Sequence, residues 1–305
     1  MPEMPEVEAL RSFLAANLIG RTVVRADLAA FSALKTFALP LSALHGAEVE
    51  AVERRGKFLA LDAGGTWLVF HLARAGWLTW HDPAPATPVR PGKGPLALRV
   101  VFAGEPADPA AEGSSDDPSG PGEVAFTLTE AGTQKHLAVY VVAGLDEVPG
   151  IGRLGPDPLA GDFGRDDFAA VLAAHPRTQL KGLLKDQSVF AGIGNAYSDE
   201  ILLAARLSPF KLAGSLSEEE VTALFAAVRG ELTRAVERAA GARPSALKDS
   251  KRTHLRVHGR KGAPCEVCAT PIAEVSFADS FLNYCPGCQT SGKLLADRRL
   301  SRLLK

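Results

Sequence analysis

The 305-residue chain lacks several features that would place it in a common functional class. It contains no apolar run long enough for a secretory signal or a membrane span, so we expect no membrane association. Its seven histidines show no His-Glu-x-x-His spacing, and there is no phosphate loop of the nucleotide-hydrolase type, so we expect neither a catalytic metal nor a nucleotide cofactor. The net charge is only −1, so attraction to a polyanion has to come from local patches.

Cysteine is also scarce, and all four cysteines lie near the C-terminus. They form two Cys-x2-Cys pairs, Cys265 with Cys268 and Cys285 with Cys288, separated by sixteen residues. Two such pairs on tight turns at the ends of a β-hairpin can close a tetrahedral zinc site that has no open position. We therefore predict one structural zinc ion per chain; two disulfides or two redox pairs are the alternatives.

The N-terminus carries an unusual candidate nucleophile. If Met1 is removed, Pro2 presents a secondary amine beside the carboxylate of Glu3. An α-amino group has a pKa of about 7.7 to 8.0, so a useful fraction is unprotonated near neutrality. Its addition to an aldehyde-level carbon gives an iminium, which withdraws electrons. The alternative is an ordinary N-terminus in which the prolines extend the lead and Glu6 favours the first helical turn.

A glycine-rich turn and a basic C-terminal region suggest contacts with phosphate. Gly192 and Gly194 permit a tight turn between two helical stretches, Asn195 can cap the second helix, and amides exposed there would bind an anion, although such glycines can also serve packing alone. From 248 to 305 the chain has 11 Lys and Arg against 5 Asp and Glu. This local excess favours nucleic-acid binding.

Hydrophobic patterning predicts an α+β protein. A helix is expected over about residues 6–18, and alternating or β-branched runs between 21 and about 142 predict a β-sandwich. Residues 104–123, rich in Ala, Pro, Gly, Ser and Asp, are predicted to form a disordered acidic loop between strands. From about 163 the pattern is helical, until a break that contains Pro244 precedes the cysteines.

Together these segments resemble the formamidopyrimidine-DNA glycosylase and endonuclease VIII family along essentially the whole chain. The matching segments are the Pro-Glu-Met-Pro-Glu-Val-Glu start, Arg55-Gly-Lys-Phe58, His71-Leu72, residues 154–159, residues 185–200, His258-Gly-Arg-Lys-Gly262 and the four cysteines. The resemblance implies an N-terminal catalytic β-sandwich domain over 1–150, a helical helix-two-turn-helix DNA-binding domain over 151–250, and a zinc-finger hairpin with a basic tail over 251–305.

The resemblance also implies an activity: a bifunctional DNA glycosylase and abasic-site lyase of base-excision repair, acting on oxidised or ring-opened bases in double-stranded DNA. Pro2 would form the Schiff base and Glu3 would shuttle protons. Glu6 would help to hold the N-terminus, and Lys57 and Asn195 would each contact a phosphate. We expect a monomer in a bacterial cytoplasm, associated with the nucleoid.

Three departures from the family pattern leave the substrate open. Arg74 stands where a methionine usually follows His-Leu-Gly, and it can insert into DNA because a guanidinium stacks on bases. The usual Asp-Pro-Arg-Arg-Phe-Gly loop is replaced by residues 129–137, in which Lys135 is the candidate DNA contact. Ser280 replaces an arginine of the finger, which puts δ-elimination in doubt. The alternative substrates are oxidised pyrimidines, bulky adducts or abasic sites alone. The alternative kinds of protein are a damage sensor without turnover and an unrelated zinc-ribbon protein.

Overall fold

The computed structural model describes residues 2–92, 94–104, 122–277 and 280–296, and for 248–252 the backbone only. These residues form two compact units. The first falls within Met1–Pro2, Glu6–Gly152 and Ala240–Lys248, and the second within Glu3–Pro5, Arg153–Ala239 and Asp249–Lys305. The predicted acidic loop, apart from its ends, and the last nine residues of the basic tail lie outside the described residues.

The described part of the first unit contains most of an N-terminal helix, the start of a later helix and eight strands. Helix α1 (Met4–Leu18) begins slightly earlier than predicted, and Leu10, Leu14 and Leu18 form a fully buried stripe along it. The strands are β1 (Val23–Leu28), β2 (Val49–Arg55), β3 (Phe58–Ala63), β4 (Thr66–His71), β5 (Gly76–His81), β6 (Leu96–Phe102), β7 (Val124–Glu130) and β8 (Ala138–Val142).

The strands form two antiparallel sheets, ordered β2-β3-β4-β8 and β1-β6-β7-β5. The sheets pack face to face: the ring of Phe70 on β4 lies 5.7 Å from that of Phe126 on β7, and both side chains are fully buried. Aligned packing of two inner apolar faces is the arrangement that alternating strands favour. The predicted β-sandwich is confirmed.

The second unit is built from helices and one hairpin. The helices are α2 (Arg165–Ala174), α3 (Leu180–Lys185), α4 (Asn195–Ala204), α5 (Glu218–Ala239) and α7 (Pro286–Thr290); α6 (Pro244–His254) runs from the first unit into the second. The hairpin pairs β9 (Ala273–Ser276) with β10 (Phe281–Tyr284). Stacked rings of Phe168 and Phe190 lie in a core to which α2, α4 and α5 all contribute.

The starts of α5 and α6 follow from local sequence. Ser217 Oγ accepts the amide of Glu220 at 3.3 Å while the Glu220 carboxylate accepts the amide of Ser217 at 2.9 Å, which is a capping box at the start of α5. Pro244 was predicted to break the helical pattern, and it does so by starting α6. Proline has no backbone N–H, but at the first position of a helix that N–H would have no partner within the helix. Among the described helices, none is long and apolar enough to span a membrane.

Candidate active site and zinc centre

Glu3 is buried against the N-terminus of α4. Only 2% of the residue is exposed. Its Oε1 accepts a hydrogen bond from the amide of Ala196 at 3.0 Å, and its Oε2 accepts one from the amide of Tyr197 at 3.2 Å. The next residue, Met4, donates its own amide to the carbonyl of Gly192 at 3.0 Å. Charge-assisted bonds to helix-start amides hold a carboxylate in a fixed orientation.

The close approach of this carboxylate requires glycine at position 194. A Cβ atom on Gly194 would lie 2.3 Å from Cδ of Glu3, well inside van der Waals contact. The anion site predicted at the start of α4 therefore exists, but its amides are not exposed. They bind a carboxylate of the chain itself.

Asn195 does not cap α4, contrary to the prediction. Gly194 occupies the N-cap position and Asn195 is the first helical residue. Its side-chain Nδ2 instead donates to the carbonyl of Phe281 on β10 at 2.8 Å. Its bond to the hairpin strand ties the helix start to the zinc finger. A primary amide has two N–H groups, so this bond leaves Asn195 able to donate a second one.

A buried ammonium that the sequence analysis missed supports the same helix turn. Lys181 on α3 donates to the carbonyl of Asn195 at 2.6 Å, to Ser198 Oγ at 2.8 Å and to Asp199 Oδ1 at 2.6 Å. Burial lowers the pKa of Lys181, and the carboxylates of Asp199 and Glu3 oppose part of that shift. Nothing in a single sequence distinguishes this lysine from a surface one, because its partners lie fourteen or more residues away.

The two acidic residues at the middle of α4 fasten the segment that leads into the zinc finger. The carboxylate of Glu200 accepts the amides of Arg256, Val257 and His258 at 2.9 to 3.0 Å. Asp199 Oδ2 lies 2.7 Å from Nδ1 of His258. Both carboxylates are buried and fully used in structure, which accounts for the acidic pair in the matching segment.

Lys57 lies in the two-residue turn between β2 and β3, next to Gly56, which has a φ of +57°. A glycine at this first turn position meets the positive φ that tight hairpins need. Lys57 is only 8% exposed, and its charge acts on His71 at the end of β4. Burial and the Lys57 ammonium lower the pKa of His71 from 6.5 to about 4.

Arg74 lies at an exposed loop between β4 and β5. The imidazole Nδ1 of His71 is 3.2 Å from the amide of Ala73, and the amide of Gly76 donates to the carbonyl of Leu72 at 2.9 Å. Ala73 adopts a φ of +50°, a conformation that favours glycine. The loop is thus held at both ends and presents Arg74 to solvent.

Lys135 belongs to the exposed loop that follows β7. Glu130 is buried, and its carboxylate accepts the amides of His136 at 2.9 Å and Leu137 at 3.0 Å. The Lys135 ammonium donates to the carbonyl of Glu130. In this structure Lys135 therefore contributes to closing its own loop.

The four cysteine sulfurs form one cluster in the second unit. All four Sγ atoms lie within 4.8 Å of one another, and the shortest separation, between Cys268 and Cys285, is 3.3 Å. A disulfide needs about 2.05 Å, whereas ligands of one tetrahedral zinc with bonds of about 2.3 Å stand about 3.8 Å apart. The thiols are free, so the geometry supports zinc and excludes disulfides between them.

The predicted site residues are distributed over the two units. Pro2, Glu6, Lys57, Arg74 and Lys135 belong to the first unit, and Pro2 and Glu6 are buried. Glu3, Asn195 and the cysteines belong to the second. Within the second unit the structure brings Glu3 to the helix that Asn195 begins.

Comparison with known proteins agrees with this architecture. Residues 1–112 match the formamidopyrimidine-DNA glycosylase N-terminal domain, 154–245 the H2TH domain of the same glycosylase, and 262–290 the zinc finger found in FPG and IleRS. The formamidopyrimidine-DNA glycosylase of Symbiobacterium thermophilum is 35% identical over an alignment of 313 residues, gaps included, that covers 98% of this chain and 93% of that protein.

Two further relatives extend the comparison. An uncharacterized formamidopyrimidine-DNA glycosylase-like protein of Mycobacterium tuberculosis is 53% identical over 152 residues, half of this chain and 94% of that protein. The crystal structure of the MutM (Fpg) protein from Thermus thermophilus is similar at a TM-score of 0.73 and 31% identity, covering 94% of this chain and 98% of that one.

These matches confirm the predicted fold class, a β-sandwich domain with an N-terminal helix, a helix-two-turn-helix domain and a hairpin zinc finger. They also confirm Cys265, Cys268, Cys285 and Cys288 as the ligands of a structural zinc ion. The chain belongs to the formamidopyrimidine-DNA glycosylase family.

Proposed function

We propose that this DNA-repair glycosylase is bifunctional: it removes oxidised or ring-opened bases from double-stranded DNA and then cleaves the strand at the resulting abasic site. The observation that carries the proposal is the buried Glu3 carboxylate, fixed by two helix amides directly beside Pro2 in the chain. DNA binding alone has no need for an amine and an oriented carboxylate at adjacent positions.

The amine of Pro2 performs the covalent step once Met1 has been removed. Its nitrogen bonds to the anomeric sugar carbon as the bond to the damaged base breaks, and opening of the sugar ring gives an iminium. The iminium acidifies the neighbouring C–H of the sugar. Loss of that proton expels the 3′ phosphate, so the strand breaks by β-elimination.

Glu3 moves the protons that these steps require. Ring opening needs a proton on the sugar oxygen and β-elimination needs one removed from carbon, and a carboxylate beside the amine can serve both. Because both oxygens of Glu3 face amide donors, the group keeps one orientation. Glu6, buried in the first turn of α1, helps to hold the N-terminal segment.

Four side chains outside the catalytic dyad of Pro2 and Glu3 contact the DNA. Lys57 on its hairpin turn and Asn195, through its second amide N–H, each bind a phosphate, and such contacts position the duplex without reading its sequence. Arg74 at its loop enters the gap left by the extruded base. Lys135 reaches DNA by exchanging its bond with the Glu130 carbonyl for a phosphate.

Borohydride trapping of the Met1-processed protein tests the proposal. Duplexes that carry an abasic site, 8-oxoguanine, a formamidopyrimidine or an oxidised pyrimidine are compared for wild type, Pro2→Gly and Glu3→Gln. We expect an adduct at Pro2, lost in Pro2→Gly. Glu8→Gln is the matched control, since Glu8, on the nearby helix α1, pairs with Arg54 and Arg11 instead.

A second pair of variants tests whether the position of Glu3 matters. Gly194→Ala places a methyl group on the Glu3 carboxyl and should reduce trapping as strongly as Glu3→Gln. Gly161→Ala meets no atom within 4 Å and should leave trapping unchanged. Trapping on the abasic duplex alone would restrict the activity to a lyase. Tight binding with no adduct on any duplex would identify a damage sensor and refute the proposal.

A further inference from the structure

A groove of about 270 Å³ opens between α3 and the zinc-finger hairpin. Its walls include Lys181 and Lys185 from α3, Asn195 from α4, and Phe277, Ser280 and Phe281 from the hairpin. Sites for drug-sized ligands occupy roughly 300 to 1,000 Å³, so this groove fits a ligand the size of one heterocyclic base.

Ser280 lines the groove with a short side chain. The amide of Phe277 donates to the carbonyl of Ser280 at 2.8 Å, so the two residues are opposite each other at the end of the hairpin and share one face. A long side chain at 280, such as the arginine expected there, would share that face with the Phe277 ring. With serine in place, that ring borders the groove and Phe277 remains 37% exposed.

The groove combines aromatic surface with positive charge. Three of its ten lining residues are phenylalanines, two are lysines and none is acidic. Lys181 already donates three hydrogen bonds inside the protein, so it contributes charge but no contact to a ligand. Lys185, which is exposed, is the cation placed to meet a phosphate at the rim.

We infer that this groove binds an unpaired nucleotide of a DNA strand, with the base stacked on Phe277 and its phosphate near Lys185. Aromatic rings with adjacent cations are the arrangement that binds single-stranded nucleic acid, because every base has a stacking face. A phosphate alone would leave the phenylalanines exposed, and an apolar ligand would make no use of the Lys185 ammonium. The inference rests on the proposed function only in taking DNA as the partner.

The consequence is a wider substrate range than paired DNA. A lesion next to a bulge, a bubble or a single-stranded end would offer the groove a base that fully paired DNA cannot. Loss of a stacking ring in proteins that bind single strands costs roughly 5- to 150-fold in affinity per base. An effect of that size is readily measured.

The test measures the affinity of the zinc-loaded protein for a fluorescent oligothymidylate by anisotropy at constant salt, with wild type, Phe277→Ala and Ser280→Leu. Both variants should bind the single strand at least about fivefold more weakly, the first by losing the ring and the second by filling the groove without adding charge. Phe37→Ala is the matched control, since Phe37 is 82% exposed, belongs to the first unit and does not line the groove.

Two further measurements assign the ligand and separate this inference from the proposed function. Competition by thymidine monophosphate but not by thymidine would show that base and phosphate are both recognised; equal competition would remove the role given to Lys185. Trapping on a fully paired abasic duplex should stay within about twofold of wild type in Phe277→Ala, which leaves Asn195 and its proposed phosphate contact in place. Undetectable oligothymidylate binding by wild type, or equal binding by all variants, would overturn the inference, whereas absence of trapping in wild type would refute only the proposed function.

Discussion

Acidification from neutral pH should destabilise the first unit through the imidazole of His71. Burial and the nearby Lys57 ammonium lower the pKa of His71 to about 4, and its Nδ1 faces the amide of Ala73 at 3.2 Å. That amide can donate only to an unprotonated nitrogen. Protonation of His71 in the folded state would therefore break the bond that holds the start of the Arg74 loop.

The sign and size follow from proton linkage. In the unfolded chain His71 has its ordinary pKa of 6.5, so between 6.5 and about 4 the unfolded state binds a proton that the folded state does not. The stability contributed by neutral His71 is complete above that window and is lost as the pH falls through it. At about 1.4 kcal/mol per pH unit, the loss reaches about 2 to 3 kcal/mol near pH 4.5.

Urea unfolding of wild type and His71→Asn across this pH range measures the effect. Asparagine keeps a carbonyl acceptor for the Ala73 amide but does not titrate, so the variant should lose about 2 kcal/mol less than wild type between neutrality and about pH 4.5. The comparison with His71→Asn is needed because burial and Arg99 also lower the pKa of His81. The titration of His81 changes the stability of both proteins equally, so it cancels in the difference. Parallel curves for the two proteins would refute this reasoning.

Three further perturbations test other contacts. Lys181→Met should reduce the free energy of unfolding by about 3 to 5 kcal/mol, because it leaves the buried Asp199 carboxylate without its cation. Asp199→Asn in the same chain should restore part of the lost stability. A cost under about 1 kcal/mol for Lys181→Met would contradict the buried pair. Lys57→Ala should flatten the salt dependence of DNA binding by about one unit on a log-log plot and for all sequences alike, so an unchanged slope would exclude a phosphate contact. Chelation should release one zinc per chain and abolish DNA binding, and Cys285→Ser should not bind the metal. A Cys285→Ser variant that retained both zinc and DNA binding would contradict a four-thiolate site.

Features that depend on short sequence distances were predicted well. The zinc site follows from spacing because each Cys-x2-Cys pair forms its own turn, and the hairpin between the pairs needs only sixteen residues. Strands such as β4 and β6 are recognisable in the sequence because their apolar runs are nearly continuous. By contrast β2, with the sequence Val-Glu-Ala-Val-Glu-Arg-Arg, is harder to recognise because charged residues dilute its pattern.

Features that depend on distant residues could not be predicted. The amides at the start of α4 were expected to be exposed, and their actual partner, Glu3, lies 193 residues earlier in the chain. Asn195 has the chemistry of a helix cap, but the carbonyl of Phe281 and the N-cap position of Gly194 redirect it. Tertiary contacts of this kind override local propensity.

Because Glu3 occupies the amides at the start of α4, backbone groups hold the proposed proton carrier, whereas side chains make the proposed contacts with DNA. The carboxylate accepts hydrogen bonds from two main-chain donors, and Gly194 leaves room for it because it has no Cβ. Substitution of a neighbouring side chain therefore does not remove either of these two donors. Those two amides are therefore not available to a phosphate. The positions that depart from the family pattern, Arg74 and Ser280, are side chains on a loop and at a hairpin end. Their substitution should therefore change which DNA is bound while the dyad keeps its geometry, and trapping on an abasic duplex should be less sensitive to Arg74→Ala than trapping on any damaged base.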